Sequence, residues 1–179
     1  MYYVPPFSMD DARAENDNET IGLTDRGQVP WVGGEVPSGD GPWDLYVTGN
    51  NTLTLNGGTY YFDSVLVDGS ASVIVAGPTT MYIAGDAIFT GDGLVNVSMD
   101  PHDLIIYCTG ATMTLTGTSG VAAGIVAPNT DLILPGTGDF LGAIVARTID
   151  MDGTTNIHVD ETLAQSLFDS DPLVPALVQ

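Results

Sequence analysis

Lysine is absent from this chain. Its basic residues are Arg13, Arg26 and Arg147, set against 23 aspartates and glutamates, and the formal net charge is −20 over 179 residues. A polypeptide of that balance has nothing with which to neutralise a row of phosphates, which argues against DNA, RNA and anionic lipid as partners. Cysteine is nearly absent too. Cys108 stands alone inside the apolar run DLIIYC, so no internal disulfide can form. With no His or Asp pattern around it, it reads as a small buried hydrophobe rather than a nucleophile. No run approaches the roughly 20 apolar residues of a membrane span. The opening MYYVPPFSMDD lacks a basic region followed by a long apolar core, so no signal peptide is visible, and export would need a targeting segment outside this sequence.

Glutamate is scarce as well, limited to Glu15, Glu19, Glu35 and Glu161. The acids are therefore mostly Asp, a turn former and a poor helix former, and they fall where turns are expected. Hydrophobic residues make up 44% of the chain, which excludes a disordered acidic tail. What remains is one soluble domain with a sizeable core.

Three regions separate by pattern. Residues 1–44 are the least regular: MDDARAENDNE suits one short helix, and VPWVGGEVPSGDGPWD is broken by Gly and Pro. Trp31 and Trp43 are expected to pack this segment against the body. From residue 45 to 159 short apolar runs recur every 8 to 11 residues or so, separated by Gly, Asn, Asp or Pro. The expected strands are 45–47, 52–55, 60–67, 72–76, 80–84, 87–90, 94–98, 103–107, 112–116, 122–127, 131–134, 140–145, 148–151 and 156–159. Within a run, alternate residues share a face, as Val73 and Val75 do in ASVIVAG and Met113 and Leu115 in TMTLTG.

A sandwich or barrel would show some longer strands able to pair as hairpins. Uniformly short strands with single-Gly or Asp-Gly corners instead suit a solenoid, in which each coil stacks in parallel on the last. The expected fold is thus all-β, a right-handed parallel β-helix of about four to five coils with three strands each. Its interior stacks should include Val73, Val75, Ile83, Ile105, Leu115, Leu132 and Ile144, and Gly77, Gly85, Gly91 and Gly142 should mark corners or close packing. In residues 160–179 the period changes. Leu163, Leu167 and Phe168 share one helical face behind Asp160 as N-cap, which suggests a capping helix over the solenoid's open end, followed by a tail.

LNGGTYYFDSVLVDGSASVIVAGPTTMYIAGDAIFTGDGLVNV resembles the start of a β-solenoid domain found in type IV pilus-assembly accessory, minor-pilin-like surface proteins. GIVAPNTDLILPGTGDFLGAIVARTIDMDGTTNIHVDETL resembles its end, and the likeness covers about residues 53 to 163. It implies a parallel β-helix that normally follows a hydrophobic pilin-like helix, and it supplies no catalytic residues.

Several chemistries can be weighed on the residues themselves. A uronate lyase needs a basic residue and positive charge to hold its polymer, and the body offers only Arg147. Glycoside hydrolysis needs two carboxylates roughly 5 to 9.5 Å apart; Asp86 with Asp92, or Asp150 with Asp152, would be candidates, although pairs arise by chance among so many acids. His102 and His158 lack a second His or Cys at ligand spacing, which disfavours zinc. Asp10, Asp11 and Glu15, and separately Asp100 and Asp103, are weak candidates for Ca²⁺, without an EF-hand loop or a nonapeptide repeat. The threonines of Thr112-x-Thr114-x-Thr116, with Thr52 and Thr54, suggest an outward ladder of the ice-binding type, but Ser72–Val75 and Leu132–Leu134 interrupt it. Asn18, Asn50 and Asn96 head glycosylation sequons.

The expected function is a non-enzymatic structural or adhesive module of a pilus-like or cell-surface apparatus, extracellular, monomeric in isolation, without a cofactor beyond Ca²⁺. Its partners would be pilus or other surface proteins, or carbohydrate. The alternatives are a carbohydrate-active β-helix enzyme using an Asp pair, and an ice- or surface-binding solenoid.

Overall fold

The computed structural model describes residues 8–23, 43–91, 93–116 and 120–168. Arg26, Trp31, Asp92 and the tail beyond residue 168 therefore lie outside the described residues. The chain opens with helix α1 (Met9–Ala14), whose N-terminus is closed by a capping box between Ser8 and Asp11. A 3₁₀ turn, Asn18–Ile21, follows.

The body is a parallel β-solenoid of about six turns. Its first turn is β1 (Asp44–Val47), β2 (Thr52–Leu55) and β3 (Gly58–Phe62). The second is β4 (Ser64–Val67), β5 (Ser72–Val75) and β6 (Thr79–Ile83), and the third β7 (Ala87–Phe89), β8 (Gly93–Asn96) and β9 (Leu104–Cys108). Then come β10 (Thr112–Leu115), the long β11 (Val121–Gly136) and β12 (Phe140–Gly153), and β13 (Ile157–Val159). Among the described residues every strand pairing is parallel. The expected single run over 60–67 is two strands, with the corner at Asp63, whose N–H donates to the Trp43 carbonyl on the turn before.

Two faces run the length of the solenoid and a third stops halfway. The first face stacks β1, β4, β7, β10, the second half of β11 and the second half of β12. The opposite face stacks β3, β6, β9, the first halves of β11 and β12, and β13. Among the described residues the middle face holds only β2, β5 and β8. Later turns close with short corners, residues 137–139 and 154–156, in place of a middle strand. Shorter turns fit more of them into the same length, which is why there are about six rather than four or five.

The register stacks like on like. Leu45, Val65, Ala87, Met113 and Leu132 form one interior column, and Tyr60, Met81, Ile106, Ile125 and Ile144 another. Val73, Val75, Ile83, Leu115 and Leu132 are buried as the alternation requires, and Ile144 is half-buried against the same core. Ile105 differs. It points outward, in register with Gly124 and Ala143, and is half-buried by packing on the outside of the opposite face.

That outer surface is covered at both ends by helices. Met9 and Ala12 of α1 pack with Tyr61 and Tyr82, while Leu163 and Leu167 of α2 (Glu161–Phe168) pack near Gly124, Tyr107 and Val126. The C-terminal helix exists where the periodicity puts it, with Asp160 accepting from the Leu163 N–H at 2.9 Å, but it covers a side and not the end. The reason is local. Gly124 leaves a slot in the outer surface, since a Cβ there would lie 3.2 Å from Leu167 Cδ1 and 3.4 Å from Leu163 Cδ2.

At the opposite end the N-terminal segment closes the edge of β3. Asn18, fully buried, accepts from the Tyr61 N–H at 3.1 Å and donates through Nδ2 to the Tyr61 carbonyl. Asp17 does the same for Thr59, accepting from its N–H through Oδ2 at 2.8 Å and donating its own N–H to the carbonyl at 2.7 Å. Two residues thus satisfy the free edge of β3, and Leu23 seals the core beside them at 1% exposure.

Asn18→Ala should leave the Tyr61 amide and carbonyl buried without partners, at a cost of about 1–3 kcal/mol. A chemical denaturation curve checks this, and a wild-type midpoint would refute the edge-sealing role. A second expectation concerns the corner column Gly49, Gly69 and Gly91, all at positive φ (72°, 79° and 69°). A Cβ on Gly91 would lie 1.9 Å from the Gly69 carbonyl oxygen, whereas Gly49 meets nothing closer than Asn51 at 3.7 Å. Gly91→Val should therefore destabilise by roughly 2–4 kcal/mol, and Gly49→Asn by much less, because Asn tolerates that backbone. Calorimetric melting of the two variants decides it.

Candidate functional site

The two ends of the solenoid are chemically unlike. At the C-terminal end the interior columns simply continue to the surface. Ile149 and Met151 lie in register below Leu132 and Leu134, which are 0% and 4% exposed, yet they themselves are 44% and 43% exposed. On the facing strand, Val159 continues the column of Ala123 and Gly142 and is 66% exposed, while Ile157 sits below Phe140 and is half-buried. Among the described residues, the second half of β12 pairs only with β11, and β13 only with β12, so both present a free strand edge. Between the apolar residues on β12 stand Asp150 and Asp152, both exposed and on the outward side. The end is therefore an apolar pad with free backbone groups and an acidic rim.

The last corner is pinned beside it. Asp139 accepts from Asn156 Nδ2 at 2.8 Å and lies 3.4 Å from His158 Nε2, and the Asn156 hydrogen bond, with His158 next, holds its carboxyl below the ordinary range. One rung earlier, Arg147 grips Asp131 through Nε at 2.8 Å and Nη2 at 2.6 Å, with the Thr148 hydroxyl donating to the same carboxylate at 2.6 Å. Neighbouring turns of this face already hold together an acid and a cation across the ladder.

The other residues singled out in the sequence have local duties. Asp11 closes the α1 capping box with Ser8, and Asp10 is exposed in the same first turn. Glu15 is the C-cap of α1, its N–H donating to the Asp11 carbonyl. Asp100 caps a 3₁₀ turn (Pro101–Asp103), accepting from the His102 N–H at 2.9 Å and lying 3.0 Å from its Nδ1. His102 also lies 3.9 Å from Asp160, which ties this corner to the start of α2. Among the described residues, no three His, Cys, Asp or Glu side chains come together as a metal would require. Asp150 and Asp152 stand on an open edge, and Asp86 supports a corner by accepting from the Thr112 N–H at 2.9 Å.

Cys108 is buried, and burial pushes its thiol up, which makes a thiolate harder to form. Asn18 and Asn96 are buried hydrogen-bonding residues, the latter donating to the Asp100 and Ala122 carbonyls, so of the three sequons only Asn50 is exposed. The threonines do not stack into a ladder: Thr52 and Thr54 sit above Ser72 and Ile74, and Thr112 and Thr114 above Asp131 and Ile133. Nothing in the run GTYYF singles out Tyr61. Its phenol is pushed up to about 12, first by burial and then by its 2.8 Å bond to Asp63, while the Arg13 guanidinium lies 5.7 Å from the ring centre. Residue alternation alone marks such a tyrosine as outward, and only α1 makes it buried.

The Arg147 and Thr148 hydrogen bonds lower the Asp131 carboxyl from 3.8 to about 2. A carboxylate depressed in the folded state contributes stability above its unfolded pKa, near 4, and loses it as pH falls through the folded value. Replacing Arg147 with Met should bring the Asp131 midpoint in an NMR titration back toward 3.8. An unmoved midpoint would mean that the ion pair does not form in solution.

Neither the curated proteins nor the solved structures contain a match to this chain. A family described as a domain of unknown function (DUF7305) matches residues 64–166, from β4 into α2. That span takes in the exposed C-terminal end, the slot under α2 and more than half of the sequence, and the chain belongs to this family.

Proposed function

We propose that the protein is a non-enzymatic structural or adhesive module of a pilus-like or other cell-surface apparatus, displayed outside the cell. One observation carries this reading: at one end the N-terminal segment occupies the β3 edge and the apolar core is buried, whereas the other end exposes apolar core residues and, among the described residues, free strand edges. A rigid rod finished at one end and unfinished at the other suits a part that is joined to something. The charge supports a surface setting, since −20 keeps such rods apart while they are not engaged. The likeness to minor-pilin-like accessory domains favours a pilus as the apparatus. Carboxylates that serve as caps and turn supports leave the outward faces to recognition.

Antibody labelling of intact, unpermeabilised cells should decorate the cell surface or its appendages. The purified protein should release no reducing ends from a panel of polysaccharides. Labelling confined to the cell interior would refute the surface role. Turnover that disappears when Asp150 or Asp152 becomes Asn would replace the module with a carbohydrate-active enzyme.

A further inference from the structure

We infer that the open C-terminal end is a docking site for an extended partner strand in which apolar residues alternate with Lys or Arg, added to β12 as one more rung. The proposal rests on the module reading above and supplies its partner chemistry. Three features of the end specify the occupant.

The first is register. Ile149 and Met151 continue columns that every earlier rung fills with an apolar side chain. A strand paired below them would carry its own apolar residues inward at the same spacing of two. The second is the backbone. The second half of β12 has a ladder partner on one side only among the described residues, so its outer N–H and C=O groups are free to pair, which is the mode of β-augmentation. The third is charge. Asp150 and Asp152 alternate with the apolar pair, both exposed, and each would face a side chain of the added strand. Opposite charges at such cross-strand positions stabilise and like charges repel. The Asp131–Arg147 pair, one rung up on this face, shows the same pairing inside the molecule.

The same features disfavour a second copy of this chain. Head-to-tail stacking would set β13 against the β3 edge of the next copy, which Asp17 and Asn18 already occupy. End-to-end pairing of two open ends would bring Asp150 and Asp152 of both chains together, in a molecule of charge −20. A cationic strand meets neither obstacle.

The test uses the whole chain and three synthetic peptides: one alternating Ile with Lys, one alternating Ile with Glu, and a scrambled version of the first. Calorimetry should detect binding of the Lys peptide alone, with NMR shifts centred on residues 148–153. Affinity should fall at least about tenfold between low and high salt, and by a similar factor in the Asp150→Asn, Asp152→Asn double variant. Met151→Asp, an exposed position whose change should leave the melting temperature near that of the parent chain, should abolish it. Binding of no peptide, equal binding of the Lys and Glu peptides, or shifts confined to another face would overturn the proposal. So would a dimer of the chain alone that Met151→Asp dissociates. Surface labelling reports separately on the module reading: peptide binding with purely internal labelling would keep the docking site and move it to another compartment.

Discussion

Everything in this molecule hangs on parallel in-register stacking. Each rung receives its backbone partners and half of its apolar contacts from the rung before, and passes the same to the next. Such an arrangement satisfies itself everywhere except at its two ends. There the hydrogen-bonding groups of the last strands and the last apolar layer have no neighbour of the same kind. The distinctive features of the protein are the ways in which it meets that problem.

At the N-terminal end the solution is polar and economical. Asp17 and Asn18 present a main-chain amide, a carboxylate and a carboxamide to the β3 edge, copying the donor and acceptor spacing of a strand without being one. Leu23 then fills the hole in the core. At the C-terminal end the chain turns away at Asp160 and lays α2 along the side. The apolar face of that helix is spent on the outer surface of the opposite face, where Gly124 makes room, and so it is not available to cover Ile149, Met151 and Val159. The contrast between the ends follows from where the small residues lie on the outer surface.

The excess of acid fits the same frame. In a solenoid the corners stack as the strands do, so a turn-forming residue recurs along a column. Asp68 and Asp86 each support a corner hydrogen bond, Asp100 caps one, and Asp131 holds an arginine across rungs. Repulsion along the columns is tolerated because most of these carboxylates are exposed to water.

Residue alternation and turn chemistry by themselves determined that this would be a β-solenoid. Short runs with period-two alternation, cut by Gly and Asp-Gly, place nearly every strand and most of the interior, because those patterns reflect forces acting within a few residues. The helix at 160–168 is legible for the same reason. Tertiary structure alone decided the number of turns, since whether a corner is a full strand or only residues 137–139 depends on what lies across the core. It also decided that Ile105 faces outward beneath α2, that Asn18 is a buried edge cap and not an exposed acceptor, and that Ile149 and Met151 end a column instead of lying within it. Each of those outcomes depends on a neighbour distant in sequence, and alternation carries no information about which rung comes last.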